Sequence, residues 1–124
     1  LQVIHRAKSL ARDQGFAVCI SVVDDAGLLR HFVRMDDAVP GAIDVSIKKA
    51  RTAALFRTDS ADLGRQAQPG GAIYSLEATN GGLIRFGGGV GLSDDLGKGI
   101  GAVGVAGATV EADQAIALLA AGRT

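Results

Sequence analysis

The chain has 124 residues, which predicts a single domain over residues 1–124. Hydrophobic residues make up 48% of the sequence and aromatic residues only 4%, so we expect a core of Ala, Val, Ile and Leu. Thirteen lysines and arginines balance 13 aspartates and glutamates, which argues against a nucleic-acid-binding protein or a membrane-surface protein and favours a homo-oligomer.

The single cysteine, Cys19, lies in the apolar run AVCISVV, which favours a buried structural thiol. The sequence contains no Cys/His metal motif and no apolar run of the ~18 residues that a membrane span needs. We expect a cytoplasmic protein; since the sequence begins at Leu1 and not at Met, a truncated N-terminus and secreted relatives stay open as alternatives.

The first third predicts a helix and a hairpin. Apolar residues at helical spacing predict a helix that Gly15 ends. Residues 17–24 are rich in β-branched side chains and predict a buried strand. The turn signature DDAG at 24–27 joins this strand to a second one over 28–35.

The remaining elements predict an α+β domain. Pro40 suits the first turn of a helix whose apolar stripe runs to Phe56, and Thr109 suits the cap of the last helix. Between them we expect a short helix over 59–67 and three strands near 82–86, 89–93 and 99–106. The order α-ββ-α(α)-βββ-α predicts a central antiparallel sheet of about five strands flanked by helices.

Glycines concentrate in residues 81–107, where 11 of the 18 occur among aliphatic residues. Glycine in a strand indicates a bulge or a close approach of backbone or ligand, so we expect a ligand cleft that includes Gly88, Gly89 and Val90. The run GIGAVG at 99–104 matches GxGxxG but lies inside a strand, and GLSDDLGK at 91–98 has the wrong glycine spacing for a phosphate loop. We therefore expect no nucleotide cofactor.

Two residues of the second strand are candidate haem ligands. Alternation places Leu29, His31, Val33 and Met35 on one face, and His and Met can both ligate haem iron. The alternative is a hydrogen-bonded histidine beside a methionine that fills space. His5 on the first helix is a weaker candidate, with a surface or interface histidine as its alternative.

Two cations could pair with anionic groups of a ligand. Lys49 lies on an apolar strip of its helix, where it either extends its ammonium to water or sits at a cleft. Arg34 lies at the end of the second strand, where it either contacts a ligand or belongs to a solvated turn. Two histidines offer little material for acid–base chemistry, so the catalytic residues stay unknown.

Four segments in order resemble the GlcG/HbpS family, whose haem-degrading-type domain also forms the C-terminal part of PduO-like corrinoid proteins. These segments are SVVDDAGLLRHFVRMDDA, IKKARTAALF, GGGVGL and GIGAVGVAGATVEADQAIA. The resemblance implies a profilin-like fold, homo-oligomers, haem or tetrapyrrole binding in some members, and slow haem breakdown in at least one branch. It also implies an accessory role in glycolate or diol metabolism. Here the family's usual proline after GG-Ile/Val is Gly91, and Ala106 replaces a usual serine.

Three functions follow as hypotheses. The first is a small-ligand protein that binds haem through His31 and Met35, with Lys49 or Arg34 at the anionic substituents. The second is an enzyme on a small carbonyl or carboxylate metabolite at the glycine-rich cleft. The third is a structural accessory subunit whose Gly/Ala surfaces drive assembly.

Overall fold

The computed structural model describes residues 2–123, the side chain of Glu77 excepted. These residues form four α-helices and four β-strands. The helices are α1 (Gln2–Asp13), α2 (Ala42–Phe56), α3 (Ser60–Ala67) and α4 (Val110–Ala120). The strands are β1 (Cys19–Asp24), β2 (Leu29–Arg34), β3 (Gly89–Ser93) and β4 (Gly99–Ala106), and a single 3-10 turn spans Leu76–Ala78.

The strands form one antiparallel sheet in the order β2-β1-β4-β3. This confirms the α+β class but corrects the expected five strands to four, because residues 82–86 form no strand. Gly81 and Gly82 have φ of +74° and +104°, which interrupts an extended chain. The Ile84 N–H donates to the Thr52 hydroxyl of α2 at 3.0 Å instead of to a neighbouring strand.

The two faces of the sheet are packed differently. Helices α1 and α4 cover one face over branched side chains, whose buried members include Ile20, Val103 and Ile116. Helix α2 covers the other face, where the sheet presents small residues such as Ala102, Gly104 and Ala106. The core is therefore aliphatic, as the composition predicts.

Glycines let α2 approach the sheet closely. A Cβ on Gly104 would overlap the Ser46 carbonyl oxygen and lie 2.8 Å from the Ala50 nitrogen. A Cβ on Gly89 would overlap the Lys49 carbonyl oxygen in the same way. The hydroxyls of Ser21 and Ser46 share a hydrogen bond of 2.7 Å across this interface. Much of the glycine in the last third thus serves helix packing.

Thr109 caps α4, as its sequence position predicts. Its hydroxyl accepts a hydrogen bond from the Ala112 N–H at 3.0 Å. We expect Thr109→Ala to lower the free energy of unfolding by about 1 kcal/mol, because the first turn loses this acceptor. Urea unfolding measures the change, and Thr109→Ser, which keeps the hydroxyl, is the control. An unchanged stability in Thr109→Ala would mean that water replaces the cap.

Candidate functional site

Helices α1 and α4 border an apolar groove on the surface. The groove encloses about 430 Å³ and is lined by His5, Arg6, Ser9, Leu10 and Leu119. The guanidinium of Arg6 donates to the Ala120 carbonyl through Nε at 2.9 Å and Nη2 at 2.6 Å, which ties α1 to α4. His5 is exposed at this groove, so its imidazole stands beside apolar surface.

His31 is also exposed, but on edge strand β2. It pairs with Val22, so it lies on the sheet face that α1 and α4 cover. The expected alternation fails at Leu29. A β-bulge leaves Arg30 as an extra residue, so Leu29 pairs with Val23 and lies on the α2 face of the sheet, opposite to His31. His31 lines neither this groove nor the larger cavity described below.

Met35 and Arg34 have partners within the chain. The Met35 sulfur accepts the Val18 N–H at 3.4 Å, and its side chain packs against the core under α1 and α4. The Arg34 guanidinium donates to the Ala38 carbonyl through Nε at 3.2 Å and Nη2 at 2.9 Å. Arg34 pairs with Cys19, so it lies on the opposite sheet face from His31. Each of these side chains thus has a structural role.

Lys49 neither extends to water nor lies at a cleft, which corrects both sequence interpretations. Only 1% of its surface is exposed. Its ammonium donates to the Val105 carbonyl at 2.8 Å and to Asp113 Oδ2 at 3.1 Å, and it lies 5.1 Å from the centre of the Phe86 ring. Burial lowers the pKa of Lys49 and raises the pKa of Asp113, and the attraction between the two charges opposes both shifts. The pair is a buried structural ion pair.

Gly88, Gly89 and Val90 are buried in the interior of the chain rather than at an open cleft. A Cβ on Gly88, whose φ is +123°, would lie 2.6 Å from the Lys49 ammonium nitrogen. Val90 is fully buried in the core between the sheet and helices α1 and α4. The glycine pattern at these positions reports close internal packing, so the expected cleft is not there.

A larger cavity lies at the end of the sheet where α2 finishes, and we call it the sheet-end cavity. It encloses about 780 Å³. Its walls come from the last turn of α2, the start of α3, strand β3, the first residues of β4 and the β1–β2 turn. Gly91, Gly99 and Gly101 line it, so part of the glycine-rich segment does border a cavity, but none of the candidate residues predicted from sequence does.

Six charged residues line the sheet-end cavity, and some are already neutralised. Asp59 pairs with Arg123 at 2.9 Å and accepts the Gly91 N–H at 3.0 Å. This pairing raises the pKa of Arg123. Asp62 pairs with Arg65 outside the cavity. The remaining three lining charges, Asp25, Arg57 and Lys98, have no side-chain partner within residues 2–123.

Sequence reasoning missed Arg57, Lys98 and Arg123. Arg57 ends α2 with a left-handed backbone, φ +50°, and its N–H bonds to the Ala53 carbonyl. A non-glycine residue in the left-handed backbone region is uncommon, and no pattern in the sequence predicted that Arg57 would adopt it. The segment 91–98, set aside as a phosphate loop, contributes Gly91, Leu92, Ser93 and Lys98 to the cavity. Within the described part of the chain, no group of three or more His, Cys, Asp or Glu residues could hold a metal ion.

The family model described as "Haem degrading protein HbpS-like" matches residues 1–121. The chain belongs to the HbpS-like family. This confirms the resemblance that the four sequence segments indicate, including the similarity to the C-terminal domain of PduO-like proteins.

Two proteins that are similar to this HbpS-like chain differ in how much of their own length the similarity covers. An uncharacterised 15.0 kDa protein in the dhaT-dhaS intergenic region of Citrobacter freundii is 43% identical over 101 residues, which cover 81% of this chain and 70% of that protein. Corrinoid adenosyltransferase PduO of Salmonella typhimurium is 37% identical over 117 residues, which cover 94% of this chain but only 34% of PduO. This HbpS-like chain thus spans about a third of PduO.

A solved structure shares the fold of this HbpS-like chain closely. The crystal structure of a PduOC:heme complex superimposes with a TM-score of 0.92 at 36% identity, covering 98% of this chain and 88% of that one.

Within residues 2–123, no helix has the length and apolar character to cross a membrane.

Proposed function

We propose that this chain binds haem in the α1–α4 groove, with His5 as an axial ligand. The observation that carries the proposal is an exposed imidazole beside an apolar groove of about 430 Å³. Ligand sites are mostly apolar concavities of roughly 300–1,000 Å³ with a few polar groups. His31 has an exposed imidazole too but lines neither the groove nor the sheet-end cavity, so we prefer His5, which the sequence analysis ranked second.

The residues of the groove suit a porphyrin. Leu10 and Leu119 offer aliphatic surface, and Leu119 is 47% exposed. A guanidinium has five N–H donors, and Arg6 uses only two contacts on the Ala120 carbonyl, which leaves donors for a propionate. Bound haem would supply a redox-active iron; this chain would supply an axial imidazole, an apolar surface and a cation.

The comparisons support haem as the ligand. A close structural relative was crystallised as a PduOC:heme complex, and the family description is that of a haem-degrading protein. We also propose slow haem breakdown and an accessory role in glycolate or diol metabolism, for which family membership is the support. The adenosyltransferase named in PduO is not proposed here, because this chain spans 34% of that protein.

A haem titration of the apo-protein, followed by absorption, tests the proposal. The chain has two histidines, so His5→Ala and His31→Ala are matched variants of each other. We expect saturable binding in the wild type and in His31→Ala, and loss of the shifted Soret band in His5→Ala, because iron loses its axial nitrogen. Addition of hydrogen peroxide then measures haem breakdown as loss of the Soret band.

Two results would contradict the proposal. If only His31→Ala loses haem binding, the axial ligand of the iron is His31 on β2 and not His5. A weak, non-saturating shift that is the same in all three proteins would remove haem as a specific ligand, since apolar surfaces take up haem without specificity.

A further inference from the structure

The sheet-end cavity is separate from the α1–α4 groove. Its walls include residues of α2, α3, β3 and β4, and none of its lining residues lines the groove. At about 780 Å³ it is within the range of small-molecule sites. The haem proposal makes no use of it.

Two of its glycines are not required by the protein's own packing. A Cβ on Gly99 would meet nothing within 4 Å, and a Cβ on Gly91 would lie 3.8 Å from Asp59 Oδ1, an ordinary contact. Neither residue has a positive φ, in contrast to Gly101 at +155°. Glycine weakens a strand interior, so its presence at two unforced positions indicates that the space beside it is used.

The unpaired charges of the cavity carry an excess of cations. Arg57 and Lys98 have no side-chain partner within residues 2–123. Among the carboxylates that line the cavity, Asp25 alone also lacks a side-chain partner within these residues. The Asp59–Arg123 pair is internally neutral and fastened to the Gly91 backbone. A ligand therefore meets two cations and one carboxylate that are free to bind it.

We propose that the sheet-end cavity binds a small hydroxylated carboxylate. Arg57 and Lys98 hold the carboxylate group, because a guanidinium matches its two oxygens and an ammonium adds a point charge. Asp25, which accepts hydrogen bonds and donates none when ionised, takes a ligand hydroxyl. Ala53 and Ala54 of α2 contact the carbon atoms of the ligand, and the glycines leave it room.

Titration with glycerate, followed by amide chemical shifts in NMR, tests the proposal. Glycerol is the matched probe, since it keeps hydroxyls and lacks the carboxylate, and inorganic phosphate tests another oxyanion. We expect saturable shifts at the Gly91, Ser93 and Gly99 amides with glycerate. Glycerol should bind about tenfold more weakly or worse, because a hydrogen bond to a charged group is worth roughly 1.4 kcal/mol or more, a factor of ten.

Three variants localise the binding. Arg57→Gln and Lys98→Gln should each weaken glycerate binding about tenfold or more, whereas Arg12→Gln on exposed α1 should leave it unchanged. Gly99→Val should weaken glycerate binding by occupying the space beside Gly99 while Tm stays the same or rises, because a β-branched residue suits a strand and meets no neighbour there. If Gly99 had only a structural role, its substitution would not weaken glycerate binding while leaving Tm unchanged.

Several outcomes would overturn the proposal. Glycerol binding as tightly as glycerate would remove the carboxylate as the recognised group, and tight phosphate binding without glycerate binding would make this a phosphate site. Unchanged glycerate affinity in Gly99→Val would contradict the role given to Gly99 and place the ligand away from this residue. His5→Ala should bind glycerate as the wild type does, so the haem proposal and this one fail independently.

Discussion

Gly104→Ala is expected to destabilise the chain by about 3 kcal/mol or more, a large share of the roughly 5–15 kcal/mol that holds a domain folded. Gly104 lies on β4, which pairs with β1 on one side and β3 on the other. An added Cβ would overlap the Ser46 carbonyl oxygen and lie 2.8 Å from the Ala50 nitrogen, both backbone atoms of α2. Because neither the central strand nor a 15-residue helix can shift cheaply, the methyl group forces the two apart.

Gly99→Ala is the matched control for this variant. Gly99 lies on the same strand, yet a Cβ there meets nothing within 4 Å. Urea unfolding of both variants should give a large loss for Gly104→Ala and none for Gly99→Ala. Equal, small effects would mean that α2 can move away from the sheet, and they would contradict the close packing described here.

The contrast between these glycines shows which part of their role could be predicted from the sequence. The density of glycine among aliphatic residues correctly indicated close approach in the last third of the chain. It could not say which partner approaches, because Ser46 and Ala50 of α2 lie more than 50 residues away from Gly104 in sequence. Gly88 and Gly89 therefore looked like cleft residues, whereas the structure gives them a packing role against α2.

Local signals predicted the helices well. The short helix expected over 59–67 is α3 (Ser60–Ala67), and Thr109 caps α4 as expected. These elements depend on neighbours within a few residues, which a sequence displays. The strand expected near 82–86 failed because an apolar run alone does not distinguish a strand from a loop that a side chain such as Thr52 fastens to a helix.

The site was harder to predict than the fold. His31 and Met35 were grouped by strand alternation, but Met35 is held by Val18, and a bulge displaces Leu29 from the shared face. The sheet-end cavity joins residues from the β1–β2 turn to Arg123, about 100 positions apart. Its left-handed Arg57 carries no residue-type signal, so only the folded chain brings these charges together.

Lys49→Met is expected to lower the free energy of unfolding by about 3–5 kcal/mol at neutral pH, because removal of one partner of a buried pair leaves the other charge uncompensated. Asp113, 3% exposed, would then lose its ion-pair partner and keep the hydrogen bond from the Ala108 N–H at 3.0 Å. A loss of activity in any Lys49 variant would therefore be no evidence of catalysis without a stability measurement beside it.

The deficit of Lys49→Met should depend on pH. Burial raises the pKa of Asp113 above its ordinary value of 3.8, and the Lys49 charge partly opposes that rise. Without Lys49 the pKa of Asp113 rises further, so between pH 3.8 and this raised pKa the folded state of the variant holds a proton that the unfolded state has lost. Stability therefore increases as pH falls through the folded pKa toward 3.8, and the deficit should be larger at about pH 7 than at about pH 5.

A double variant separates the charge from the packing. Lys49→Met with Asp113→Asn removes both charges but keeps a side-chain oxygen for the Ala108 N–H. We expect it to recover most of the stability lost in Lys49→Met at neutral pH, and to lose the pH dependence, when urea unfolding is compared at the two pH values. If the double variant is as unstable as Lys49→Met at both, then the bond of the ammonium to the Val105 carbonyl, rather than the ion pair, holds α2 to this end of β4. Recovery would instead show that the cost lies in an unpaired buried carboxylate, and that the fold itself needs neither charge.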